Sequence, residues 1–458
     1  MNQDFISFDV GTNFDYKLFD VIDEYDKKHS ITNLYGKLKN DGMPGGRAAS
    51  IVPDFTMDEF EAYLNECKKR NLSFNYLINP LSLDQNEYDP IVGKKMRDFI
   101  HTLYDVGVRE ITLNSPILIK YVRKEFPDMF ITLGLYAYPT TIQHVEYWRT
   151  WGVNEITLDH SFNRKFDVLR SLLTEYKDSD LHLRVIANNL CLRECPYRLA
   201  HAGFVGHSDP LKTSMDYTLI NCNFHKISEP AAFLTSEWIR PEDVHYYRAL
   251  AEETGNKNFA IKLIDRTRTT EFLTNVIRAY MTESYDGNLL DIVNYPTAKT
   301  IDAKNHVSGM PAGGPPQGMP VGAPPQGMPA GGPPQGMPMG GPPAGRPMLR
   351  FGEYLKPESM MQFGRTMTFP KIYVDNKKLD GFLEHFINDY KCDKSLCISS
   401  ILEDDVSKYP NACGHCKAWA KKVISYDENE VEQWKAMAAD LLSKIENGTI
   451  YKDAESQQ

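Results

Sequence analysis

Eight short runs rich in β-branched and aromatic residues recur along the first 300 residues, each followed by an amphipathic stretch. This alternation constrains the fold more than any other feature of the chain. The runs are Phe5–Val10, Ile31–Leu38, Phe74–Ile78, Glu110–Leu113, Phe130–Tyr136, Glu155–Leu158, Leu181–Ala187 and Phe259–Ile264. Between them, segments such as MDEFEAYLNECKKR, VGKKMRDFIHTLYDVG, TTIQHVEYWRTWG and RPEDVHYYRALAEETG place apolar residues at i, i+3, i+4 spacing, which buries one helical face on a sheet. Strand and helix alternating in this way predict parallel βα units. About eight such units predict a TIM-like (β/α) barrel, with an open doubly wound sheet as the other arrangement of the same units.

A short internal repeat supports this reading. Gly107-Val-Arg-Glu-Ile-Thr-Leu113 recurs as Gly152-Val-Asn-Glu-Ile-Thr-Leu158. In each copy a glycine is placed to end a helix in the left-handed conformation before the chain enters a strand.

The pattern stops near residue 300. Residues 309–344 are four copies of a nine-residue unit, GMPAGGPPQ, GMPVGAPPQ, GMPAGGPPQ and GMPMGGPPA. Glycine does not recur at every third position, so the segment is not collagen-like. Its composition offers almost no core-forming side chains, and a disordered low-complexity linker over 301–349 is expected. Methionine-based metal binding and a docking site for a partner are the other uses such a repeat could have. Beyond it, residues 350–458 read as a small, mainly helical, Cys-rich module. Helical spacing is evident in LDGFLEHFINDY and in DENEVEQWKAMAADLLSKIENG. The barrel is therefore assigned to 1–300 and the module to 350–458.

Composition narrows the partners. With 42% hydrophobic and 24% charged residues the chain has ample material for a core. A net charge of −10 without runs of Lys or Arg disfavours non-specific nucleic-acid binding, though a local basic groove remains compatible with it. The first residues, MNQDFISFDVGTNFD, have neither a basic nor an apolar region of the secretory kind, and nowhere do about 18 apolar residues run together, so a cytoplasmic protein without a membrane span is expected.

In that setting clustered cysteines are metal ligands or catalytic groups more often than disulfides. Seven of the eight fall in two clusters. The first lies in Asn188-Asn-Leu-Cys191-Leu-Arg-Glu-Cys195-Pro-Tyr-Arg198-Leu-Ala-His201, followed by His207 and Asn221-Cys222. It begins where the seventh strand should end, and barrel active sites form at that end of the strands. Thiolates of Cys191, Cys195 and Cys222 suit a [4Fe–4S] cluster, whose fourth iron would take Cys67, a nitrogen or oxygen ligand, or substrate. Zinc held by the three sulfurs and a histidine is the alternative, and three inert packed thiols fit a loop carrying Arg193, Glu194 and Arg198 poorly. The second cluster is Cys392-x4-Cys397-x15-Cys413-Gly-His-Cys416, four thiols able to close a site by themselves around zinc or a second [4Fe–4S]; a redox pair of Cys413 and Cys416 is a further option. This metal site is expected to let the module fold independently of the barrel. Cys67 suits packing as well as ligation, and His144 and His182 read as surface or core residues.

The stretch Ala260-Ile-Lys-Leu-Ile-Asp-Arg266, continuing through Glu271-Phe to Val276-Ile-Arg-Ala-Tyr280, resembles the signature of the peptidase U32 family. There a strand reading K-I-x-G-R precedes a helix ending near A-Y. Lys262, Arg266, Ala279 and Tyr280 match, whereas Asp265 stands where the family has glycine. The Cys-rich loop resembles that of members of the ubiquinone-hydroxylation type, so the likeness covers roughly residues 1–295. It implies a TIM-like barrel, a cysteine-held [4Fe–4S] cluster and oxygen-independent hydroxylation of an RNA base or a quinone ring; other members carry an old protease label. The chain has no GxSxG, HExxH or CxxxCxxC motif.

The expected protein is thus a U32-type iron–sulfur protein acting in oxygen-independent hydroxylation or a related redox modification. Lys262 and Arg266 are its candidate catalytic residues, binding an anionic substrate or co-substrate unless neighbouring carboxylates pair with them. The substrate, whether small molecule, peptide or RNA, is not named by the sequence. A non-catalytic iron–sulfur scaffold with a redox or hetero-oligomeric partner, and a zinc-dependent hydrolase using Glu194 as base, are the alternatives.

Overall fold

The computed structural model describes residues 5–47, 52–206, 216–295, 355–388, 390–400 and 406–452. The repeat segment 301–349 and His207 lie outside these residues.

Eight parallel strands close into a barrel in the order of the chain. They are β1 (Ile6–Gly11), β2 (Ile31–Gly36), β3 (Ser73–Ile78), β4 (Glu110–Leu113), β5 (Phe130–Leu133), β6 (Glu155–Thr157), β7 (His182–Ile186) and β8 (Phe259–Leu263). Closure is made by β1 against β8, with Phe8 opposite Ile261 and Val10 opposite Leu263. Helices α1 (Lys17–Tyr25), α2 (Met57–Lys69), α3 (Val92–Asp105), α4 (Pro116–Glu125), α5 (Ile142–Thr150) and α6 (Phe166–Glu175) follow the first six strands, and α11 (Thr270–Met281) follows the last. Four helices, α7 (Arg198–Gly206), α8 (Tyr217–Ser228), α9 (Ala232–Thr235) and α10 (Val244–Thr254), are inserted after β7. The closed barrel excludes the open sheet. All eight expected strands form, Glu110–Leu113 with the expected bounds and the others with ends that differ by at most three residues. The repeat behaves as expected: Gly107 and Gly152 adopt φ of 101° and 89° at the ends of α3 and α5.

Period-2 alternation sends the apolar residues of each strand outward onto the helices. Phe8, Val10, Leu34, Tyr76, Ile111, Ile131, Ile156, Val185 and Ile261 are all buried there. The inward residues are largely polar, where a barrel of this kind usually packs branched aliphatics. Thr112 donates to Asn75 (2.6 Å), Asn75 to Thr132 (3.0 Å) and Thr132 to Glu155 (3.0 Å). Arg184 completes the chain, pairing with Glu155 at 2.8 Å and with Asp9. Buried charges are tolerated when paired and hydrogen-bonded, and this network satisfies both conditions. Above it lies a small apolar layer of Tyr35, Leu77, Ile186 and Ile264.

The C-terminal segment does not pack as a separate body. Its helices span Pro357–Thr366, Glu384–Asn388, His415–Val423 and Glu428–Glu446, with a two-stranded antiparallel sheet of β9 (Ile372–Val374) and β10 (Ile424–Tyr426). The helix expected through LDGFLEHFINDY is broken because Gly381 adopts φ of 81° within it. Phe382, Leu383, Phe386, Cys416, Val423 and Trp434 belong to the same continuous core as the barrel helices. Trp238 packs at a tilt against Phe382, with ring centroids 5.5 Å apart. Arg240, buried and paired with Asp243 at 2.8 Å, also donates to the Asn376 carbonyl (2.8 Å) and to Asp380 (3.0 Å). The segment expected to fold independently thus buries part of its apolar surface on the barrel rather than within itself.

Candidate functional site

A cavity of about 200 Å³ opens at the C-terminal ends of the strands. Six of the eight strand ends contribute through the loops that follow them: Arg47 after β2, Asn79 after β3, Tyr136 and Tyr138 after β5, His160 after β6, Asn189–Cys191 after β7 and Asp265–Arg266 after β8. Cys195 and His201 join from the loop and α7, and Cys222 and Lys226 from α8. All five expected barrel residues, Cys191, Cys195, Cys222, Lys262 and Arg266, therefore line one cavity.

The Cys-bearing loop is tied down at both ends. Asn188 accepts from the Ile264 amide (2.7 Å) and donates to the Ile292 carbonyl (3.0 Å), joining the ends of β7 and β8. Lys226, buried on α8, donates to the Leu190 carbonyl at 2.8 Å. Burial pushes the Cys191 thiol up, although Lys226 works against it. Burial, then Cys222, pushes the Cys195 thiol up to about 11. The thiols thus lie within electrostatic reach of one another. Among the described residues no three His, Cys, Asp or Glu side chains are drawn together closely enough to hold a metal ion. The donor set, three soft sulfurs around one cavity, amounts to three of the four thiolates that usually hold an iron–sulfur cluster.

His201 adds a nitrogen donor. Its Nδ1 lies 2.7 Å from Asp216, the N-cap of α8, the carboxylate–imidazole arrangement that orients metal-binding histidines. Cys67 is elsewhere: buried on α2 beside Leu64 and Leu72, it is no part of the cavity, and burial pushes its thiol up to about 12. Glu194 is exposed and does not line the cavity, which removes it as a base there. His144 is exposed and His182 packs edge-on against Phe130, as expected of residues without a site role.

Opposite the cysteines the wall is cationic. Arg47 pairs with Asp265 at 3.0 Å. Asp265, whose place the family resemblance gives to glycine, also has Arg268 beside it, and despite burial the two guanidiniums hold its carboxyl at about 2. Arg266 also feels the charge of Asp265 but is not hydrogen-bonded through its Nη2, which is buried without a partner among the described residues. Burial and Arg47 pull its pKa below the ordinary value. Lys262 lies 3.8 Å from the centre of the Tyr35 ring, its pKa lowered well below normal by burial and Arg184. Asp265, the carboxylate acting on Arg266, is thus paired with Arg47 at 3.0 Å and has Arg268 beside it. Arg198, paired with Asp159 at 2.8 Å, stacks on Tyr138 at 4.8 Å and joins this wall to the Cys loop. Sequence reasoning missed Arg47, Asn79, Tyr136, Tyr138 and Lys226. The first four follow strand ends, and that position is the one signal that could have found them.

The four tail cysteines do not line the cavity. Cys397 and Cys413 are joined by a backbone bridge, and Cys416 is buried against the barrel.

No family model matches the chain. It is 26% identical over 253 residues to the "Uncharacterized protease MJ1657" of Methanocaldococcus jannaschii, the match covering 55% of this chain and 72% of the relative. Among solved structures it is similar to the U32 peptidase Mk0906, at 14% identity over 57% of this chain and 92% of that one, with a TM-score of 0.41. A GH113 β-1,4-mannanase is similar at 12% identity over 61% and 99% of the two chains, with a TM-score of 0.31. Structural likenesses this remote say nothing of chemistry. No helix among the described residues is long and apolar enough to cross a membrane. The sequence relationship to the archaeal protein, the closed barrel and the segment from Ala260 to Tyr280 together support membership of the peptidase U32 family.

Proposed function

We propose that the chain is a redox protein whose barrel mouth holds a [4Fe–4S] cluster through Cys191, Cys195 and Cys222, beside a pocket for an anionic substrate. The oxygen-independent hydroxylation implied by the family resemblance is the reaction class it serves. One observation carries the reading: three cysteines and a buried arginine with an unpartnered Nη2 face the same cavity. A bound cluster supplies one-electron transfer. The chain's own residues do the rest. Lys226 and Asn188 hold the Cys loop, Arg266 offers a free donor to a carboxylate or phosphate, and Tyr35, Tyr136 and Tyr138 wall the pocket against water. His201, fixed by Asp216, is the nitrogen candidate for the fourth iron.

The protease label of the archaeal relative invites a second reading, in which a cysteine is the nucleophile and His201–Asp216 its base. An activated cysteine needs a lowered pKa. The Cys191 and Cys195 thiols are shifted the opposite way, and no hydrogen bond joins His201 to any of the three cysteines. The redox reading is therefore preferred.

The test is anaerobic purification with iron, acid-labile sulfide and visible absorption measured. The wild-type chain should carry iron and sulfide, and the variant with Cys191, Cys195 and Cys222 all changed to Ala should lose the barrel's share. Iron content unchanged by the triple substitution would overturn the proposal.

A further inference from the structure

Cys392, Cys397, Cys413 and Cys416 are used by nothing described so far. We infer that they form a tetrathiolate metal centre, separate from the barrel mouth and seated where the C-terminal segment packs on the barrel.

The backbone brings the four together from three directions. Cys413 donates its amide to the Leu396 carbonyl (2.7 Å) and accepts from the Ile398 amide (3.2 Å), which sets Cys397 and Cys413 side by side. Gly414 then caps the helix His415–Val423, placing Cys416 in its first turn. Cys392 arrives between Tyr390 and Asp393, both of which Arg193 engages, at 3.4 and 2.6 Å. Burial pushes the Cys416 thiol up to about 12, and Cys397, Cys392 and Cys413 add to the rise while Arg164 works against it. They are not drawn to coordination distance.

A second observation points the same way. Binding a divalent ion replaces four thiol protons, M²⁺ + 4 RSH → M(SR)₄²⁻ + 4 H⁺, and leaves a dianion that needs cations beside it. Two arginines stand there. Arg164 is 2% exposed, and its Nη atoms donate to the carbonyls of Leu234 (2.9 Å) and Ser236 (2.8 Å) while its Nε has no hydrogen-bond partner. Cys416 approaches the same Leu234 carbonyl, Sγ to O 3.8 Å. Burial pushes the Cys392 thiol up to about 11, with Arg193 and then Arg164 working against it. Arg164 also lies over the rings of Trp238, Phe382 and Phe386, and Arg193 pairs with Glu237 at 3.6 Å and Asp393 at 2.6 Å. The Nε of Arg164 is the donor these contacts leave over, and a tetrathiolate dianion would use it.

Zinc and a [4Fe–4S] cluster share this ligand chemistry, and the experiment separates them. The full chain carrying Cys191→Ser, Cys195→Ser and Cys222→Ser removes the barrel thiols, so its outcome does not depend on the barrel-mouth reading. Purified without oxygen, it should retain about one zinc, or about four irons with acid-labile sulfide, per chain. Adding Cys397→Ser and Cys413→Ser should abolish that content. Folding of the variants is bypassed by a second measurement on the wild-type chain. There Cys392, Cys397, Cys413 and Cys416 should resist alkylation by iodoacetamide, read by mass spectrometry, until a chelator removes the metal. Metal absent from the barrel-thiol variant, metal retained after the tail substitutions, or free alkylation of all four thiols would each overturn the inference.

Discussion

Asp265 shows how one residue can organise a binding wall. It is 4% exposed and sits between Arg47 and Arg268. Changing it to Asn leaves Arg47, Arg266 and Arg268 facing one another without their carboxylate, and breaking a buried pair in this way costs about 3–5 kcal/mol. Urea denaturation of Asp265→Asn at neutral pH should show a loss of that order. The pH dependence has a definite sign. The carboxyl is held at about 2 in the folded chain, against roughly 3.9 unfolded, so its contribution is fully present above about pH 4 and is lost as pH falls through about 2. The stability gap between wild type and variant should therefore narrow across that acid window; a constant gap would show that ionisation of Asp265 is not what stabilises the wall. Arg266 was legible in the sequence as a motif residue after a strand. Its free donor was not, because that depends on Arg47, more than 200 residues away, taking Asp265.

Among the elements, α8 carries the most. One of its faces presents Cys222 and Lys226 to the cavity, and Ile220 packs in a small core with Leu355, Phe363, Leu441, Leu442 and Ile450 of the C-terminal segment. Tyr217 donates to Glu446 at 2.7 Å on the same side. The tail thus positions a barrel cysteine. Lys226 is the clamp between this helix and the Cys loop, and a charged hydrogen bond of this kind is worth about 1.5–3 kcal/mol. Lys226→Met should raise amide hydrogen exchange across residues 190–195 by about tenfold or more and reduce retained iron. Unchanged protection in that loop would show that Asn188 alone holds it. The Cys loop was legible from its composition and its place after a strand. The clamp was not, since a lysine on an amphipathic helix reads as solvent-facing until its neighbours are known.

For the whole molecule, the shared core changes what cleavage should do. The Gly/Pro/Met repeats at 309–344 are the expected site of proteolytic nicking. Because Phe382, Phe386 and Trp434 are buried in one core with the barrel helices, and Arg240 bridges to Asn376 and Asp380, the fragments should remain associated after the cut. Size-exclusion chromatography of nicked protein should give a single peak containing both pieces. Two separate folded peaks would restore the independent module read from the sequence.

The sequence alone determined the eight βα units, the left-handed glycines at Gly107 and Gly152, and the grouping of cysteines into two clusters. These are local facts, set by periodicity, backbone sterics and spacing along the chain. Tertiary structure decided the closure of β1 on β8 and the polar network of Asp9, Glu155 and Arg184 inside the barrel. It also decided the removal of Cys67 from the mouth and the docking of the tail on the barrel. Each of these joins residues far apart in the chain, and a buried charge or apolar face reveals its partner only when the fold brings the two together.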